Sequence, residues 1–139
     1  MWSSVSCDNM LIIHGCFLES NEEFHLFNVY APCDSRVKKC FWDSLSTRLD
    51  LLRGKKVCVC GEFNVVQCRE ERRSVTEGVL TSNSDSFNQF IEDNVLFNLP
   101  LCGRKFTWFK GDDKSMSWID RFLFTEEWCL VWPNCLQIS

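Results

Sequence analysis

The order of apolar and polar positions divides the chain into short β-like runs interleaved with two helical stripes. Met10 to Leu18 (MLIIHGCFL) is an apolar run of strand length. Polar turn residues follow at Ser20-Asn21-Glu22-Glu23, and Phe24 to Ala31 (FHLFNVYA) resumes in β-prone residues. The pattern predicts a β-hairpin. Pro32 ends its second strand, because proline has no N–H to donate to a ladder. Beyond it, Val37, Phe41, Leu45, Leu49 and Leu52 recur at steps of three and four, an apolar stripe along a helix of about five turns. Asp34 or Ser35 supplies the N-terminal cap and Gly54 the C-terminal one. Lys38, Lys39, Asp43 and Arg48 fall elsewhere on the wheel.

Lys56 to Asn64 (KVCVCGEFN) is almost continuously apolar, which predicts a strand buried on both faces. Gln67 to Gly78 reads as a charged loop. Ser84 to Phe97 is a second amphipathic helix, with Phe87, Phe90, Ile91, Asn94 and Val95 on one side. Pro100 and Gly103 bracket a turn. Short strands at Lys105 to Phe109 and Ser117 to Thr125 follow, and Glu126 to Val131 forms a last helical turn or two before Pro133. The order β-β-α-β-α-β-β carries no repeat and no flexible linker, so residues 1–139 form a single α/β layered domain, or part of one.

Composition narrows the function. Of 139 residues, 45% are apolar and 14% aromatic, enough buried surface to exclude a disordered chain. The net charge of -4 and the pI of about 5.2 exclude a partner held through bulk positive charge, so a nucleic acid would have to meet a local basic patch. Ten cysteines raise the question of a disulfide scaffold. No CxxC pair occurs, the two histidines His14 and His25 lack zinc-site spacing, and no secretion signal opens the chain. The expectation is reduced, mostly buried cysteines in an intracellular protein of nucleus or cytoplasm. No apolar run approaches the ~18 residues of a membrane span.

Four places have residues suited to chemistry. In an extended chain Cys58, Cys60, Glu62 and Asn64 share one face, bringing a carboxylate and an amide to a strand end; the alternative is a plain turn with a solvated carboxylate. Asp120 shares a strand face with Trp118, Phe122 and Phe124, an environment that is costly for a carboxylate without a partner. It is either an acid that orients another catalytic group or half of a structural pair with Arg121 or Lys105. Asn28 and Tyr30 lie on one face, and Tyr30 is the single tyrosine beside 12 phenylalanines. Its hydroxyl serves a site or caps a nearby backbone group. Lastly, Arg69-Glu70-Glu71-Arg72-Arg73 either grips phosphates or forms a solvated loop, and Trp108, after Thr107, either stacks on a base or joins the core.

The segments NVYAP (28–32), GEFNVV (61–66), REERRS (69–74), LPLCGRKFTW (99–108) and WIDRFLF (118–124) stand in an order that resembles the endonuclease/exonuclease/phosphatase superfamily, with its DNase I-like fold. GRKFTW and the REER segment point to the apurinic-endonuclease-like domain of LINE-type (non-LTR) retrotransposons. The resemblance runs from about Phe24 to Trp132. It implies a four-layered α/β sandwich, present here in part with its outer strands missing, that hydrolyses phosphodiesters of DNA with Mg²⁺. By position, Tyr30 matches the tyrosine that donates to the scissile phosphate. Glu62 stands at the aspartate of the GDFN motif that orients or deprotonates water, Asn64 matches the phosphate-holding asparagine, and Asp120 matches the buried acid that orients the catalytic histidine. Asn28, Arg72, Thr107 and Trp108 are the accompanying substrate-binding candidates, with Arg69, Arg73, Arg104 and Lys105 as further phosphate contacts.

The departures from the pattern shape the functional expectation. The family's first Asn and its metal-binding Glu would lie before Met1, and its Ser-Asp-His motif after Ser139, so no metal ligand is assigned. Glu62 replaces an aspartate, and its extra methylene moves the carboxylate by roughly 1 Å, a misplacement that can cost about 10²-fold in rate. The expectation is a catalytically defective retroelement endonuclease domain, with weak nucleic-acid binding and no obligate protein partner. The alternatives are a non-catalytic nucleic-acid-binding remnant and a functionless translated fragment.

Overall fold

The structure is a computed structural model that describes residues 3–7, 9–67, 69–73, 82–103, 105–109 and 116–138. Along the chain run β1 (Ser3–Cys7), β2 (Met10–Cys16), β3 (Glu23–Tyr30), α1 (Ser35–Asp50), β4 (Val57–Glu62), a 3-10 turn (Arg69–Glu71) and β5 (Arg72–Arg73). They are followed by α2 (Ser82–Asp93), β6 (Phe97–Asn98), β7 (Leu101–Cys102), β8 (Trp108–Phe109), β9 (Met116–Ser117), β10 (Asp120–Phe124), α3 (Glu126–Val131) and β11 (Gln137–Ile138). The main sheet has six strands in the order β1-β2-β3-β4-β10-β6. Its β3–β4 pair is parallel, joined through α1, and its other pairs are antiparallel. Two small sheets, β5-β9-β8 and β11-β7, flank it.

One face of the main sheet makes the core. Strand alternation sends Met10, Phe27, Val29, Val57, Val59 and Leu123 toward α1 and α2. The helices answer with Phe41, Trp42, Leu45 and Leu49, and with Phe87, Phe90 and Ile91. Trp42 is the hub, its ring 5.1 Å from Phe90, 5.2 Å from both Phe41 and Phe87, and 6.0 Å from Phe63. Aromatic pairs at such spacings add to what area burial alone contributes.

Helix α1 starts as its sequence predicts, with the Asp34 side chain accepting the Arg36 N–H at 2.9 Å. Its stripe is rotated at the first turn. Val37 is 50% exposed, whereas Lys38 is buried and its Nζ donates to the Asn64 carbonyl at 2.6 Å. Helix α2 stops at Asp93, so Val95 lies beyond it with φ 49° and 61% exposed rather than on the apolar side. The Asn94 amide closes the end by donating to the Phe90 carbonyl and to Ser46 Oγ, both at 2.9 Å.

The strand expected over Ser117 to Thr125 breaks at Trp118-Ile119. β9 belongs to a small sheet and β10 to the large one, because the Trp118 N–H donates to the Glu71 carbonyl while the Ile119 carbonyl accepts from Phe63. The charged loop holds a 3-10 turn and β5, and its residues 74–78 lie outside the described set. β1 is a strand the sequence pattern did not signal. Cys16, Cys33, Cys40, Cys58, Cys60, Cys102, Cys129 and Cys135 are free thiols, but contrary to the expectation of mostly buried cysteines only Cys58 and Cys60 among them, on the central β4, are buried. No helix there is long and apolar enough to cross a membrane.

Gly61 permits the parallel pairing. At φ +127° a side chain is strained, and a Cβ would stand 2.1 Å from the Val29 carbonyl oxygen. Gly54, at φ +78°, has open space around it. Gly61→Ala is therefore expected to cost several times what Gly54→Ala costs, the latter about 1–2 kcal/mol for a left-handed residue. Urea unfolding of the two variants followed by circular dichroism checks this, and equal losses would contradict it.

Candidate functional site

Pairing register builds the site. Tyr30 lies opposite Glu62 across β3–β4, and Asp120 lies opposite Glu62 across β4–β10. Residues in register point to the same side of a sheet, so these three form one row on the face away from the helices. At strand spacing the row spans about 10 Å. The next row down is Leu11, Asn28, Cys60 and Phe122, and the one below it Ile13, Leu26, Cys58 and Phe124. The face thus grades from two carboxylates and a phenol at the strand ends to an apolar floor. Leu11, Leu26, Asn28, Cys60, Asp120 and Phe122 line a shallow pocket of about 260 Å³ there.

Tyr30 is 57% exposed and Asn28 is also exposed, while Glu62 and Asp120 are half-buried. Burial, with the Asp120 carboxylate beside it, holds the Glu62 carboxyl above its ordinary range. A raised pKa keeps a carboxyl closer to the pH at which it can exchange a proton with water.

Asn64 departs from the face expected for it. The strand ends at Glu62, Phe63 turns into the core, and Asn64 takes φ 52°. Its amide donates to the Ala31 carbonyl at 2.7 Å, which fastens the end of β3 to the loop after β4. Asp120 is not fully buried and pairs with neither Arg121 nor Lys105. Its backbone is held instead: Thr107 Oγ1 accepts the Asp120 N–H at 3.1 Å and the Ile119 N–H at 3.0 Å. The Asp120 carbonyl accepts from Trp118 Nε1 and Gln137 Nε2, each at 2.8 Å. Thr107 therefore supports Asp120, with its oxygen turned to backbone.

Arg72 and Trp108 flank Ser117 from the two sides of β9, placing them two strands apart, about 10 Å. Trp108 is exposed. The Arg72 side chain lies outside the described set, as do those of Arg69 and Arg73; Arg104 lies outside the described residues altogether. Lys105 is exposed, with its Nζ 5.6 Å from the Phe106 ring centroid. His14 and His25 stack at 4.4 Å at the other end of the hairpin. His25 is five residues from Tyr30, about 16 Å along the strand, so neither imidazole reaches the carboxylate row.

Sequence reasoning missed the polar groups behind the sheet. Arg121 is 1% exposed and bonds to Glu71, Gln67 and the Trp118 carbonyl. The signal was available: in a strand, the neighbour of an outward Asp120 faces inward, so a buried cation there demands an acid.

No protein-family model and no curated protein matches the chain. Its fold does match solved structures. It is similar to the endonuclease domain of TRAS1, a telomere-specific non-LTR retrotransposon, at 13% identity and TM-score 0.71, over 91% of this chain and 56% of that one. It is similar to the catalytic domain of APE2 from Xenopus laevis at 18% identity and TM-score 0.60, over 86% and 46%. The third is the 3′ phosphatase NExo from Neisseria, solved with product DNA hairpin, at 20% identity and TM-score 0.61, over 83% and 52%. The chain has the DNase I-like α/β fold of endonuclease/exonuclease/phosphatase structures and spans about half the length of those it matches.

The carboxylate pair sets a pH dependence. Because the folded Glu62 pKa is raised, its ionisation destabilises the native state fully above that value and not at all below the unfolded one. Glu62→Gln is therefore expected to raise Tm at pH 7 by about 1–4 °C, with the advantage disappearing as pH falls below the ordinary glutamate range. Thermal melts across pH read this directly, and a lower Tm at pH 7 would reverse the sign assigned to the pair.

Proposed function

We propose that this chain is a retroelement-type endonuclease domain that binds the phosphodiester backbone of nucleic acid at the strand-end row and hydrolyses it weakly or not at all. The observation that carries the reading is the in-register Tyr30–Glu62–Asp120 row at the strand ends of a DNase I-like fold, with Tyr30 exposed and the two carboxylates half-buried. In this reading the Tyr30 hydroxyl donates to a phosphate oxygen and Glu62, its pKa raised, accepts the proton of the water that attacks phosphorus, while the P–O bond to the departing sugar breaks and its alkoxide takes a proton from solvent. Burial, with Asp120 beside it, keeps the Glu62 pKa raised, and Asn28 lies one row below, lining the pocket. Arg72 and Trp108 extend the binding surface along the strand through charge and stacking.

Two features weaken hydrolysis. First, the chain's histidines stand far from the row, so its own residues offer no imidazolium to balance phosphate charge. Groups of this kind act as a unit, and losing one forfeits most of the catalytic effect. Second, the described residues contain no group of three or more His, Cys, Asp or Glu side chains able to hold a metal ion. The proposed chemistry therefore assigns no step to a protein-held ion.

Plasmid nicking with Mg²⁺ and fluorescence anisotropy with a short DNA duplex test the two halves of the reading. Nicking is expected at or near background, and robust nicking abolished by Glu62→Ala would overturn the claim of defective catalysis. Binding is expected at low salt, weakening as salt rises. Arg72→Ala and Arg73→Ala should together lower the salt slope by about 2, roughly one for each phosphate left without its arginine. No binding at low salt would remove the nucleic-acid reading.

A further inference from the structure

Behind β4 and β10, on the helix side, lies an ion pair that the proposed chemistry does not use. The Arg121 guanidinium sits 4.5 Å from the Trp118 ring centroid and 5.4 Å from that of Phe87. Its Nη1 donates to Glu71 Oε1 and Gln67 Oε1, each at 3.1 Å, and its Nη2 donates to Glu71 Oε2 and, at 3.1 Å, to the Trp118 carbonyl. Glu71 in turn accepts the Gln67 N–H at 2.7 Å, and its own carbonyl accepts the Trp118 N–H at 2.8 Å. One buried cation thus ties the loop after β4 to the start of β10.

Stability alone is a poor reason for such a pair. Well-packed apolar residues of similar volume often do as well or better, while removing one partner is strongly destabilising. What a guanidinium fork adds is fixed geometry, because its donors are planar and rigid. That geometry bears on the next residue. Asp120 and Arg121 are neighbours on opposite faces of one strand, so fixing the Arg121 side chain fixes the height at which Asp120 meets Glu62. Thr107, Trp118 and Gln137 bond to the Asp120 backbone itself; the ion pair holds the next residue, on the helix side.

We propose that the Arg121–Glu71 pair is the positioning element that sets the spacing of the Glu62 and Asp120 carboxylates across β4 and β10. Its functional meaning rests on the reading of that row as the phosphate site, but its test requires no turnover. The experiment is a carboxyl NMR titration of Glu62 in the full chain, with Asp120→Asn giving the part of the Glu62 shift that Asp120 supplies. The variants are Glu71→Gln, Arg121→Lys and the paired Arg121→Met with Glu71→Leu, each checked for folding by circular dichroism.

In the folded variants Glu62 is expected to lose the Asp120-dependent part of its shift, titrating toward the ordinary glutamate range. The paired apolar variant should do so while remaining folded, at a Tm lowered only by the Gln67 N–H and Trp118 carbonyl it leaves without partners, a separation that a merely structural pair would not produce. Wild-type titration of Glu62 in the folded paired variant would overturn the proposal. So would failure of all three variants to fold, which would make the pair a requirement of the fold itself. A negative result leaves nicking and DNA binding unaffected, and negative results there leave this titration standing.

Discussion

The close approach of β3 to β4 at Gly61 is the constraint on which the rest depends. The Val29 carbonyl occupies the space a Cβ would need, so the two strands pair in parallel right up to their ends. That pairing aligns Tyr30 with Glu62, and the antiparallel pairing of β10 on the other side brings Asp120 to the same level. A single missing methyl group thereby aligns three polar side chains from segments far apart in sequence. The like charges cost stability, and the large core on the opposite face offsets that cost.

The two faces of the sheet have separate tasks. The helix side is an aromatic core centred on Trp42, where burial and ring packing supply the stability. The other side carries the polar row at the ends of β3 and β4 and an apolar floor beneath it. Strand ends next to loops are where α/β proteins place ligands, because backbone polar groups and side chains converge there without the sheet having to open. The polar anchors that penetrate the core side, Lys38 and Arg121, each bind the loop that follows β4. They act on the segment that the β ladders do not reach.

Much of this was legible in the sequence, and the failures have a common cause. The hairpin, both helices and the buried β4 follow from periodicity, and motif order picks out Tyr30, Glu62 and Asp120, but their alignment in one row needs the strand register. Periodicity fails where a polar group replaces an apolar one in the core. Lys38 lies one position from the expected Val37 because a carbonyl at Asn64 needed a donor, and the helix turned to provide it. Asn64 left the strand face because a left-handed residue ends the strand, and no two-residue alternation survives that turn. Arg121 and Glu71 are fifty residues apart, and only tertiary pairing reveals them as partners. Thr107 and Gln137 went unread as supports of Asp120 for the same reason: they bond to backbone atoms, which the sequence does not name.

The opposed placement of Asp120 and Arg121 on β10 has a consequence for how this chain tolerates change. Substitutions along the strand alter one side chain at a time. An insertion or deletion of one codon between the Trp118 turn and Phe124 would exchange the two faces of the strand at a stroke. The acid would then be driven against the aromatic core, and the guanidinium left among carboxylates at the rim. This short segment should therefore accumulate point changes over generations while its length stays constant.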